Sequence, residues 1–151
     1  MNRVEKAVAL HNSGFGCAQS VVSVFCEEYG VDPIIGQKMA LGLGGGIGRQ
    51  GEVCGAFSGG VLVLGMKYGI SSMDGETNKA AKDIAYTFDQ ELARQFKERN
   101  GAIRCNELLG FDLNDPEARA AAKEQGVFTI RCNQCIQNSV EILEELIAEK
   151  A

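Results

Sequence analysis

The sequence predicts an all-α fold, a single-domain helical bundle around a central apolar helix at about residues 52–68. Three observations carry that expectation. No stretch of six or more residues alternates cleanly between apolar and polar side chains, as a half-buried strand would. Apolar residues instead recur at helical spacing, bracketed by capping residues and glycine stops. One segment, "GGVLVLG" at 59–65, is apolar on every side and suits a helix with neighbours all around it.

The elements follow in order. Val4, Ala7, Val8 and His11 place a helix over 3–12, and "NSGFG" breaks it. Cys17, Val21, Val24, Phe25 and Tyr29 continue the pattern over 17–29, and Gly30 ends it. Asp32 followed by Pro33 reads as an N-cap with proline in the first turn of a helix running to about Leu41. Glycines 42, 44, 45, 46, 48 and 51 then exclude a regular element. In the central helix, Gly55, Gly59 and Gly60 let a neighbour approach closely; a strand over 61–64 is the competing assignment. Over 77–99, Ala81, Ile84, Ala85, Phe88, Leu92 and Phe96 form one inward stripe, and "KERNG" closes it. A short helix begins near Cys105. Asp115, Pro116 and Gly126 delimit the next, and a last helix runs from near Arg131 to the end of the chain, with Ile136, Val140, Leu143, Leu146 and Ile147 inward. No repeat or linker divides residues 1–151, which read as one domain.

A net charge of −5 and the lack of any basic run argue against nucleic-acid binding. No apolar run approaches the ~20 residues of a membrane span. The first residues, "MNRVEKAVALHNSG", do not read as a secretory signal, so a cytoplasmic location is expected. In a reducing compartment, six cysteines point to metal binding or redox chemistry rather than to structural bridges.

Cys17, Cys54, Cys105 and Cys132 all fall at expected helix starts. Unpaired N–H groups and the helix dipole favour thiolate there and should lower each pKa below about 8.5. Cys26 lies nine residues after Cys17, on the opposite face at ~100° per residue, and reads as core. Cys132 and Cys135 form a C-x-x-C, a spacing shared by zinc sites and redox dithiols. The one histidine, His11, reads as a satisfied structural residue. "GIGRQG" at 46–51 lacks the βαβ setting of a dinucleotide site but could form a nest of N–H groups. Arg49 and Glu52 flank it, either as a solvated pair or as charges that tune Cys54.

Cys54-Gly55-Ala56-Phe57-Ser58-Gly59 reads C-G-A-x-x-G, with "GCAQSV" before it and "IRCNELLG" and "RCNQCIQNSVEIL" after it. Across nearly the whole chain this resembles the redox-active family named for its C-GCAxxG-C-C signature. The resemblance places the four family cysteines at Cys17, Cys54, Cys105 and Cys132, with Cys135 able to replace or supplement the last. Related sequences include a domain of split-Soret cytochromes c, which implies iron–sulfur binding; the C-x-x-C-H of those cytochromes is missing here.

Three readings remain open. Cys17, Cys54, Cys105 and Cys132 bind an iron–sulfur cluster for electron transfer, or a structural zinc ion. Alternatively the chain is a metal-free dithiol–disulfide protein with Cys54, Cys132 and Cys135 reactive, pairing Cys132 with Cys135 or Cys54 with Cys17. Third, it is a helical interaction module with packing cysteines. The redox readings require a redox partner protein, and the central helix could be covered by a second copy in a homodimer.

Overall fold

The computed structural model describes residues 1–149. The final two residues of the expected last helix and of the expected domain lie outside them. Eight α-helices form among the described residues: α1 (Arg3–Asn12), α2 (Cys17–Ser23), α3 (Pro33–Ala40), α4 (Gly55–Tyr68), α5 (Gly75–Asn100), α6 (Cys105–Leu109), α7 (Pro116–Glu124) and α8 (Asn133–Glu149). Among the described residues the only β pairing is one antiparallel bridge, Val53 with Arg104, so the strand alternative over 61–64 gives way to helix. No helix is long and apolar enough to cross a membrane among these residues.

Helix starts follow short polar side chains. Asn2, Asp32, Asp74 and Asp115 each accept a backbone N–H of the first turn, at 2.8–3.1 Å. Helix α4 is central, packed by α2, α5 and α8. Its Val63 and Leu64 are fully buried with Leu92 and Phe96 of α5 and Ile136, Val140 and Leu143 of α8. Gly59 makes the contact with α2 possible: a Cβ there would sit 2.9 Å from the Ala18 Cα and carbonyl oxygen. The two backbones touch, and any side chain would push α2, with Cys17 at its start, away from α4.

Several expectations need correction. The helix expected over 17–29 stops at Ser23 and resumes as a 3₁₀ turn over Glu27–Tyr29. Val21, Val22 and Val24 give this stretch little helix propensity, and the bend lets Phe25 and Cys26 both reach the core. The central helix begins at Gly55 rather than at 52, because Glu52 and Val53 are held in the bridge to Arg104. The inward stripe of α5 begins only at Phe88. Ile84 is half exposed, since α4 ends at Tyr68, whose ring stacks on Phe88 at 4.1 Å, and the earlier turns of α5 extend past it.

The last helix also differs. Helical backbone starts at Val127 and runs through a π-helical turn, Phe128–Cys132, directly into α8. Cys132 therefore sits inside a continuous helix and not at a free N-terminus. A π turn is wider than an α turn and re-aims the side chains that follow.

Candidate functional site

The short elements at one end of the bundle enclose a cavity of about 800 Å³. Cys17, Cys54, Cys105, Cys132 and Cys135 all line it, and Cys26 does not. Among the described residues all six cysteines are free thiols. Cys26 is fully buried elsewhere, donating to the Val22 carbonyl at 3.3 Å, close to Gly36 of α3.

Local structure explains the convergence. Gly45, Gly46, Ile47, Gly48 and Arg49 all have positive φ, between 57° and 70°, making a left-handed turn. L-residues other than glycine lose roughly 1–2 kcal/mol each in this conformation, so Ile47 and Arg49 are held there by their surroundings. The turn folds Gly46 beneath Cys105. A Cβ on Gly46 would lie 2.5 Å from the Glu52 nitrogen and 2.9 Å from the Cys105 Cβ. From there the chain enters the bridge. The Cys54 N–H donates to the Ile103 carbonyl at 2.9 Å and the Cys105 N–H to the Glu52 carbonyl at 2.6 Å. These two bonds clamp together cysteines 51 positions apart in sequence. On the outer side Glu52 pairs with Arg104 at 3.3 Å, not with Arg49. The Gly48, Gln50, Gly51 and Glu52 N–H groups are spent on carbonyls of the turn region and are not free to cradle an anion.

The thiols fall as two neighbouring pairs, Cys17 beside Cys132 with their sulfurs within 4.8 Å, and Cys54 beside Cys135. Neither pair is one that spacing suggested, because the π turn points Cys132 toward α2 and Cys135 toward the start of α4. Cys54 is the N-cap of α4. The neighbouring Cys135 thiol, the Ala56 and Phe57 amides beside it, and the Arg131 guanidinium hold its pKa below the ordinary thiol value, against burial. Cys135 is pushed up by the adjoining Cys54 and by its own burial. Cys17 is raised by the adjoining Cys132, by burial and by the other cavity thiols. Burial and the Cys54 and Cys132 thiols raise Cys105 to about 12. The expectation that every helix-start thiol is acidified thus holds for Cys54 and fails for Cys17 and Cys105. Four or five thiols sharing one space resist multiple ionisation more than a single short helix promotes it.

His11 lines the cavity, and it has the hydrogen-bonding partner its reading as a satisfied residue expects. Its Nδ1 lies 2.8 Å from Asn133 Oδ1, while the Asn133 amide nitrogen donates to Asn12 Oδ1 at 2.9 Å. Asn133 thus links His11 to Asn12, and the His11 Nε2 lies 3.9 Å from Cys17 Sγ. The ligand atoms of His11, Cys17 and Cys132 lie within 4.8 Å of one another. Only tertiary packing of α1 against α8 makes this contact. Arg131 was likewise not singled out in the sequence, although it precedes Cys132. It donates to the carbonyls of Leu108 (3.0 Å) and Asn100, pinning the ends of α6 and α5 to the π turn beside Cys54.

A family model described as "Putative redox-active protein (C_GCAxxG_C_C)" matches residues 15–146. The chain belongs to this family. Residues 15–146 include all six cysteines and all the cavity-forming elements except α1, so His11 lies outside the family match. No curated protein and no solved structure matches the chain.

Proposed function

We propose that this member of the redox-active family is an electron-transfer protein whose cavity thiolates bind an iron–sulfur cluster. The observation that carries the reading is the gathering of five thiols, from four separate segments of the chain, on one cavity. The donor set suits the group: thiolates with one imidazole and no carboxylate are soft ligands, appropriate to iron–sulfur clusters or zinc and not to magnesium or calcium. Cys17, Cys54, Cys105 and Cys132 would hold the cluster, with Cys135 the alternative to Cys132. When bound, the cluster supplies one-electron chemistry. The protein's own residues set its environment. Arg131 and the amides at the start of α4 favour negative charge on sulfur, and the buried core beneath excludes water. Electrons would be exchanged with a redox partner protein, in a reducing, cytoplasmic setting that keeps the thiols free.

A second reading is favoured by a specific observation, the two thiol pairs. In a metal-free dithiol–disulfide protein, Cys54, already disposed to be thiolate, would bridge to Cys135, and Cys17 to Cys132. Two electrons and two protons would leave per bridge, taken up by a partner disulfide.

Anaerobic purification followed by iron and acid-labile sulfide analysis separates the two. The cluster reading expects a brown protein absorbing near 400 nm. Colourless, iron-free protein that forms Cys54–Cys135 or Cys17–Cys132 bridges on mild oxidation, mapped by peptide mass spectrometry, overturns it in favour of the dithiol.

A further inference from the structure

The cavity is charged in a way its thiols do not require. The chain carries 20 acidic and 15 basic residues, yet no carboxylate lines the cavity, whereas Arg49, Arg119, Lys123 and Arg131 do. The arginines sort the same way. Of the seven, Arg3, Arg94, Arg99 and Arg104 each pair with a glutamate within 4.0 Å. The other three, Arg49, Arg119 and Arg131, have no carboxylate partner among the described residues, and these are the three at the cavity.

Their positions are fixed by the fold. Arg49 is carried by the left-handed turn. Arg119 and Lys123 are four residues apart on α7, hence on one face, and Arg119 is anchored by donating to the Leu113 carbonyl at 3.1 Å. Arg131 projects from the π turn. The cations thus approach from three separate elements around a space the size of a small-molecule site. A concave wall of one sign concentrates counter-ions of the other.

We propose that this cavity admits a small, multiply charged oxyanion, of the carboxylate or phosphate type, and holds it next to the thiols. Calling that anion the redox substrate rests on the thiol chemistry proposed above; its binding rests on the cations alone.

Two alkylating agents of nearly equal size test this, anionic iodoacetate and neutral iodoacetamide. With either, the thiolate sulfur forms a bond to carbon and iodide leaves. The full chain is reduced, freed of iron and labelled, and Cys54 is followed by peptide mass spectrometry. The iodoacetate-to-iodoacetamide rate ratio, divided by that of free cysteine, is expected to be on the order of ten. It should fall to near one in the triple variant Arg49→Gln, Arg119→Gln, Lys123→Gln. Arg131 is left intact because it ties together three chain segments. Cations that merely promote thiolate formation change both rates together and leave the ratio unaltered in the variant; that result overturns the proposal. Should the variant misfold, the native protein decides alone. A ratio that drops as sodium chloride is raised, with millimolar pyrophosphate protecting Cys54 from iodoacetamide, supports the anion site. A salt-independent ratio without protection overturns it. Iron analysis is independent of these outcomes, so an iron-free protein with charge-selective labelling loses the cluster and keeps the anion site, and the reverse result does the opposite.

Discussion

Cys26 and Cys54 are both buried and both sit at the edge of a helix. Their surroundings differ in one respect. Cys26 meets a carbonyl, Val22 O, and apolar side chains. Burial and the Asp32 charge push its thiol up. Cys54 meets another thiol, two amides and a guanidinium, and is pulled down. Acceptors and apolar neighbours make a cysteine behave as a small hydrophobe, whereas donors and cations make it a thiolate. Burial alone therefore says nothing about which cysteine is chemical.

Two glycines, Gly46 beneath Cys105 on the cavity side and Gly36 beside Cys26, give the largest expected contrast. Gly46 has φ of +64°, and a Cβ would run into the backbone at Gly51 and Glu52. Gly46→Ala should cost roughly 2–4 kcal/mol, combining left-handed strain with overpacking. Gly36 lies within regular helix, where a Cβ would be 2.6 Å from the Cys26 sulfur. Gly36→Ala should cost about 1–2 kcal/mol, since overpacking is partly offset by better helix propensity. Urea denaturation measures both. Equal costs would remove the special role of the left-handed turn.

Alkali should act on the cavity side of the comparison. Cys17, Cys105 and Cys135 are raised above 9.0, the ordinary value, so between pH 9 and about 12 the native state binds more protons than the unfolded chain. Stability should then fall as pH rises through this range, by about 1.4 kcal/mol per pH unit for each thiol. Cys54 contributes the opposite sign. Its stabilisation is fully present above 9.0 and is lost as pH falls through its lowered native value. Urea midpoints from pH 7 to 10.5 check the balance, and Cys105→Ser should flatten the alkaline slope. A slope unaffected by that substitution would show that the cavity thiols ionise freely.

The smallest stability effects are the most diagnostic. Serine is a good N-cap, so Cys54→Ser should leave stability within about 0.5 kcal/mol while abolishing iron binding or bridging. Cys26→Ser places a hydroxyl in the core and should cost about 1 kcal/mol with the redox chemistry intact. Thermal melts together with iron or thiol titration read both halves. The same loss of chemistry from both variants would erase the distinction between the two cysteines.

Most of the helices and two of their caps were legible in the sequence. Asp32-Pro33 and Asp115-Pro116 act through bonds spanning a few residues, and the apolar 59–65 segment has to be buried in any fold. The sequence also singled out the cavity cysteines, since a C-G-A-x-x-G motif after a glycine run is a local signal. Tertiary structure alone decided how those cysteines are used. The thiol pairs depend on a π turn, the His11 contact on α1 meeting α8, and the cation wall on three elements distant in sequence. Local rules assign each helix-start thiol a lowered pKa, because they count one helix end at a time. Ionisation depends on every charge and every desolvated group within a few ångströms, and that set exists only once the chain has folded.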